Sequence, residues 1–100
     1  MEAEFAWQLP ADHPVFAGHF PARPIVPGVV LLDRSILFAE QLLGPGTRRW
    51  QVAQAKFYSP AGPGEMLSFK LQVKPSGAIA FSVHHVDRQV AAGSLVPCEP

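Results

Sequence analysis

The chain has 100 residues, 48% of them hydrophobic and 16% charged, with a formal net charge of zero. That balance excludes a disordered chain and supplies no global field for holding nucleic acid. One domain covering 1–100 is expected, small enough that a partner subunit would help complete its core. The lone Cys98 can form no internal disulfide. The acidic start Met-Glu-Ala-Glu lacks the apolar region of a secretory signal, and no apolar run reaches the ~18 residues needed to cross a bilayer. A soluble, cytoplasmic globular protein with no membrane partner is the expectation.

Glu4 to Leu9 alternates in part, with Phe5 and Trp7 on one side, and predicts a short strand. Pro10 to Pro14 breaks it, and residues 15–18 lead as loop into His19. Pro21, Pro24 and Pro27 then each fix φ and remove a backbone donor. The segment after His19 is therefore neither helix nor central strand but a stiff, extended loop. Gly28 opens a helix predicted over 28–43, stopped by Gly44-Pro45-Gly46. Val29 to Leu32, Ile36, Phe38, Ala39, Leu42 and Leu43 occupy most of its circumference, so burial on most sides is expected. Asp33, Arg34, Glu40 and Gln41 share the remaining sector with Leu37.

Beyond Arg48 the pattern changes to period two. Strands are predicted over 50–58, 66–73, 79–86 and 89–96, with turns at 59–64, 74–77 and Asp87-Arg88. Connections this short imply antiparallel neighbours. One long helix and about five strands give an α+β domain, a curved antiparallel sheet wrapped around a central helix.

Three groups near the helix start carry possible chemistry. The imidazole of His19 titrates near neutral pH and can serve as a general base, or it can bond a backbone carbonyl as an ordinary loop histidine. Asp33, a carboxylate expected to be buried on an apolar helix, is either functional or salt-bridged to a neighbour such as Arg34 or Arg23. The Gly28 and Val29 amides, unpaired at a helix start, can bind a developing oxyanion or be solvated. No metal is expected, because His13, His19, His84, His85 and Cys98 have no zinc-site spacing. Arg23, Arg34, Arg48, Arg49 and Lys56 are set against only Asp33 and Glu40 between positions 23 and 56, an excess that reads as a solvated face or as a site for an acidic partner or a phosphate.

Gly-His-Phe-Pro-Ala-Arg-Pro-Ile-Val-Pro-Gly-Val, from 18 to 29, resembles the signature of the hotdog-fold (3R)-hydroxyacyl-carrier-protein dehydratases of FabA/FabZ type. Gln54-Ala-Lys-Phe57 and Pro60-Ala-Gly-Pro-Gly-Glu65 are similar to the strand and turn that follow the family's helix. The resemblance runs from about Val15 to Val96. It implies that His19 is the catalytic histidine and Asp33 the catalytic acid. It also implies that the Gly28 amide polarises the thioester carbonyl and that the Ile25 carbonyl orients the imidazole. Asp33 matches the branch that also isomerises the double bond, whereas single-function members carry Glu. Leu37 stands where both branches have Gln. The short length is closer to the aryl-polyene, ApeI-like subgroup than to housekeeping fatty-acid synthesis.

The reaction so implied is dehydration of a 3-hydroxyacyl thioester, carried on acyl carrier protein or CoA, to the trans-2-enoyl thioester. No cofactor is required. A homodimer or higher even oligomer is expected, each site pairing His19 of one chain with Asp33 of the other. The acyl chain would be lined by Phe16, Phe20, Ile25, Val29, Leu37 and Phe57. An acyl-thioesterase on the same fold, with Asp33 activating water, is one alternative. A non-catalytic acyl-binding subunit is the other.

Overall fold

Alternating apolar residues need a partner layer for their buried side, and here a single helix supplies it. The computed structural model describes residues 1–12, 26–44 and 49–98. Its elements are β1 (Glu2–Gln8), α1 (Gly28–Leu43), β2 (Arg49–Phe57), β3 (Met66–Val73), β4 (Ile79–His85) and β5 (Arg88–Cys98). The strands form one sheet in the order β1-β3-β4-β5-β2, with antiparallel pairing throughout. The predicted bounds of α1 and β3 agree with the structure. β1 begins two residues earlier than expected, because pairing runs without a break from Glu2↔Gln72 to Gln8↔Met66.

α1 lies across the sheet and buries Leu31, Ser35, Phe38 and Ala39. Beneath it sit Leu67, Phe69, Leu71, Ile79, Phe81, Val83, Val90, Ala91 and Leu95. Phe38 stacks on Phe5 with centroids 4.5 Å apart and meets Phe69 edge-on at 5.2 Å. Such pairs contribute about 0.5–1.5 kcal/mol beyond their area. The hydroxyl of Ser35 donates to the Leu31 carbonyl at 2.9 Å, which satisfies the one buried polar side chain of the described core. The Gly44 N–H closes the last helical turn on the Glu40 carbonyl at 3.0 Å. No helix among the described residues is long and apolar enough to cross a membrane.

Two irregularities shape the sheet. Register slips between Val52 and Gln54 of β2 against β5, leaving Ala53 as the extra residue. Gly93 lies beneath that slip, where a Cβ would overlap the Gln54 carbonyl oxygen and the Phe81 ring. Only glycine lets β2 come this close. A second slip, between Val83 and His84, leaves Val90 unpaired on β5. Val90 and Ala91 are therefore buried in succession, and the alternation lapses at this point.

The expected turn at Asp87-Arg88 moves back by one residue. His85 pairs with Arg88, so Val86 and Asp87 form the two-residue connection, with Val86 at φ 55°. A β-branched residue is strained there, and the first position of such a turn favours glycine. Val86 is 81% exposed and has little packing to lose. Val86→Gly should therefore stabilise the fold by roughly 0.5–1 kcal/mol, strain relief exceeding the glycine's extra chain entropy. A denaturant midpoint measured at fixed protein concentration checks this. An unchanged or lower midpoint would mean that the turn carries no strain.

The expectation of a helix buried on most sides needs correcting. Val29 (60% exposed), Asp33, Leu37 (47% exposed), Glu40 and Gln41 are open on the side away from the sheet. The reason is geometric: among the described residues one sheet is the only layer that packs on α1, so one face of the helix is buried against it.

Candidate active site

The approach to α1 is rigid. The Val26 N–H donates to the Ala61 carbonyl at 2.7 Å, and both residues are buried. Pro27 follows at φ −62°, ψ 147°, and the first bond of the helix runs from the Val30 N–H to the Pro27 carbonyl at 3.0 Å. The Gly28 and Val29 amides stand ahead of that bond, at the positive end of the helix dipole. A Cβ at Gly28 would lie 2.5 Å from the tip of the Phe57 ring. Glycine thus lets an aromatic ring at the end of β2 rest directly on the helix start. The ring is 52% exposed, so it closes one side of this corner and leaves the other open.

Asp33 belongs to the exposed stripe Val29, Asp33, Leu37, whose spacing of four places all three on one helix face. The expectation that Asp33 is buried is therefore corrected: in a single chain its carboxylate is exposed. Nor does Arg34 hold it. The Arg34 guanidinium lies over the Trp7 ring, 4.0 Å from its centroid, on the β1 side of the helix. That contact contributes about 0.5–1 kcal/mol at a partly exposed site. It also takes Arg34 out of the predicted polar sector. Among the described residues Asp33 makes no ion pair. The structure thus brings Gly28 and Phe57 together and gathers Val29, Asp33 and Leu37 on one open face. Phe16, His19, Phe20 and Ile25 lie outside the described residues.

A polar cluster escaped the sequence reading. Arg88, the first residue of β5, donates from Nη2 to Glu65 Oε2 at 2.9 Å and from Nη1 to the Pro60 carbonyl at 2.6 Å. Glu65 Oε1 accepts the Gly62 N–H at 2.6 Å. His85 donates from Nδ1 to the Met66 carbonyl at 2.9 Å and turns Nε2 toward Glu65 Oε2 at 3.5 Å. Glu65 and Arg88 are 23 residues apart and no local motif joins them; only closure of the sheet does.

A depression of about 580 Å³ is lined by Glu2, Glu4, Lys70, Gln72, Ala80 and Ser82, among others. Along the strands these residues alternate with buried Leu71 and Phe81, so they project from the face opposite the helix. The depression includes neither Gly28, Asp33 nor Phe57, and so has no part in the helix-start chemistry.

Comparison with known proteins bears on these features. The ApeI-like family, described as ApeI dehydratase, matches residues 1–94. The 3-hydroxyacyl-[acyl-carrier-protein] dehydratase FabZ of Chlamydia trachomatis is 37% identical over 93 aligned positions, covering 81% of this chain and 61% of the relative. The chain thus spans about three fifths of that relative's length. In the dehydratase heterocomplex ApeI:P from Xenorhabdus doucetiae, a chain 29% identical superposes with a TM-score of 0.86, covering 98% of this chain and 88% of that one. The (R)-hydratase from A. caviae, 17% identical, superposes with a TM-score of 0.74 over 100% of this chain and 95% of its own, a likeness of fold alone. One helix wrapped by an antiparallel sheet is in both cases the hotdog arrangement.

Proposed function

The chain belongs to the ApeI-like dehydratase family, and from that premise we propose that it dehydrates a 3-hydroxyacyl thioester to the trans-2-enoyl thioester. The observation that carries this reading is the corner at the helix start. There the Gly28 amide meets the Phe57 ring, and the open Val29–Asp33–Leu37 face begins at the next residue. His19 takes the C2 proton, and the charge that develops on the thioester oxygen meets the Gly28 N–H. The C3–O bond then breaks, and the Asp33 carboxyl proton leaves with the hydroxyl as water. A proton passes from the imidazolium back to the carboxylate between turnovers. The Ile25 carbonyl orients the imidazole, and Phe16, Phe20, Val29, Leu37 and Phe57 line the acyl chain.

The whole chain acts as one domain, in the cytoplasm, on acyl groups held by acyl carrier protein or CoA. Its working unit is a dimer. Val52 (37% exposed) and Phe57 leave apolar surface on edge strand β2, and α1 leaves its Val29–Asp33–Leu37 face uncovered. A two-fold pairing of β2 edges would extend the sheet and bring the partner's loop to that face. The partner is a second copy of this chain.

The test is the reverse reaction, hydration of a crotonyl thioester, followed as loss of enoyl absorbance. The expected product is the 3-hydroxybutyryl thioester with its thiol still esterified. Release of free thiol would instead make the protein a thioesterase. Binding of substrate analogues with no turnover would make it an acyl-binding subunit.

A further inference from the structure

The Glu65–Arg88 cluster lies away from the reacting groups, yet one backbone bond connects it to them. The turn it holds contains Ala61, whose carbonyl accepts the Val26 N–H at 2.7 Å. Val26 is followed by Pro27, whose φ is fixed, and then by Gly28. A shift of Ala61 therefore passes to the Gly28 amide with only one restricted residue between them. The turn itself is fastened from two sides. Arg88 grips the Pro60 carbonyl and Glu65 at once, and Glu65 grips the Gly62 N–H. Ala61 is the residue caught between those two anchors.

We infer that Arg88, acting through Glu65 and the Pro60–Gly62 turn, is a positioning residue that sets where the Gly28 amide meets the substrate oxygen. The inference rests on the dehydratase reading above. Its chemistry is specific to arginine: a planar fork reaches two acceptors together, whereas lysine offers a point charge to one. The tight Val86-Asp87 turn delivers Arg88 to this place, since it leaves no slack between β4 and the start of β5. Misplacing an oxyanion donor by about 1 Å can cost on the order of a hundredfold in rate, so a small slack in this turn is enough to matter.

The experiment compares the full chain with Arg88→Gln and Arg88→Lys. Steady-state hydration of crotonyl thioester is measured alongside amide hydrogen exchange resolved by residue. Arg88→Gln should lower kcat about ten- to a hundredfold with KM nearly unchanged. The Val26 amide should exchange faster, while amides of β3 and β4 such as Phe69 and Phe81 keep their protection. Arg88→Lys, which retains a cation for Glu65 but not the second donor, should stay slow and keep the fast Val26 amide. It also carries the comparison if Arg88→Gln fails to fold. An unchanged Val26 amide would overturn the inference, and so would full recovery by lysine or a loss of protection spread evenly over the sheet. If the unmodified chain dehydrates nothing, the functional reading fails by itself, and the Val26 amide still decides the clamp.

Discussion

Replacing His19 by alanine, or Asp33 by asparagine, should each lower crotonyl-thioester hydration by roughly two or more orders of magnitude. Neither change should move the melting temperature much. Asp33 owes this to its placement: the carboxylate is exposed on α1, makes no ion pair among the described residues, and lies outside the described core. Substitutions at such positions usually change stability by no more than about 0.5 kcal/mol. A residue that contributes little to the fold but is needed for turnover is a residue of the site. For His19 the same separation is expected from the sequence, since Pro21, Pro24 and Pro27 each fix φ without help from the imidazole. Two measurements settle each variant, a rate and a thermal melt at fixed protein concentration. A large drop in the melt of Asp33→Asn would mark the carboxylate as half of a structural pair. Near-normal turnover in His19→Ala would remove the histidine from the mechanism.

The elements that could be read from the sequence were those whose signals are local. β3 keeps strict alternation because its inward side chains, Leu67, Phe69 and Leu71, meet one continuous core. α1 is bounded by a proline before it and Gly44 after it, and both bounds hold. What escaped depends on other parts of the chain. Glu2 reads as a polar start, yet it is drawn into β1 by backbone pairing with Gln72, which its side chain does not influence. The β4–β5 turn shifted because the slip at Val83/His84 moves the register by one, and valine gives no hint of a positive φ. The apolar circumference of α1 predicts burial on most sides and, in so small a chain, a partner that helps to supply it. Apolarity shows that a surface is meant to be covered but not which molecule covers it, so Asp33 was expected inside and lies outside. The positions of Gly28 and Asp33 were legible because one precedes the other by little more than a helical turn. The Glu65–Arg88 clamp was not, since its partners meet only once the sheet has closed.

The open face of α1 leads to the last expectation, that the two inactive variants restore each other. If each site takes His19 from one chain and Asp33 from the other, a dimer of two identical chains carries two such sites. Pairing a His19→Ala chain with an Asp33→Asn chain places both lesions in one site and leaves the other intact. Random reassortment makes about half of the dimers mixed, each with one working site of two, so about a quarter of the unmodified activity should return if the sites are independent. Each variant refolded alone supplies the baseline, lower by two or more orders of magnitude, so the recovery is large against it. The two variants are unfolded together, refolded and assayed, and mixed dimers are verified by mass with a tag on one chain. Dilution adds a second arm: the restored activity should vanish as dimers dissociate, because one chain alone leaves Val29, Asp33 and Leu37 facing solvent. Mixed dimers without recovery would place His19 and Asp33 of the same chain in one site. The exposed stripe would then have to be covered by the chain's own loop, and β2 pairing would serve stability alone.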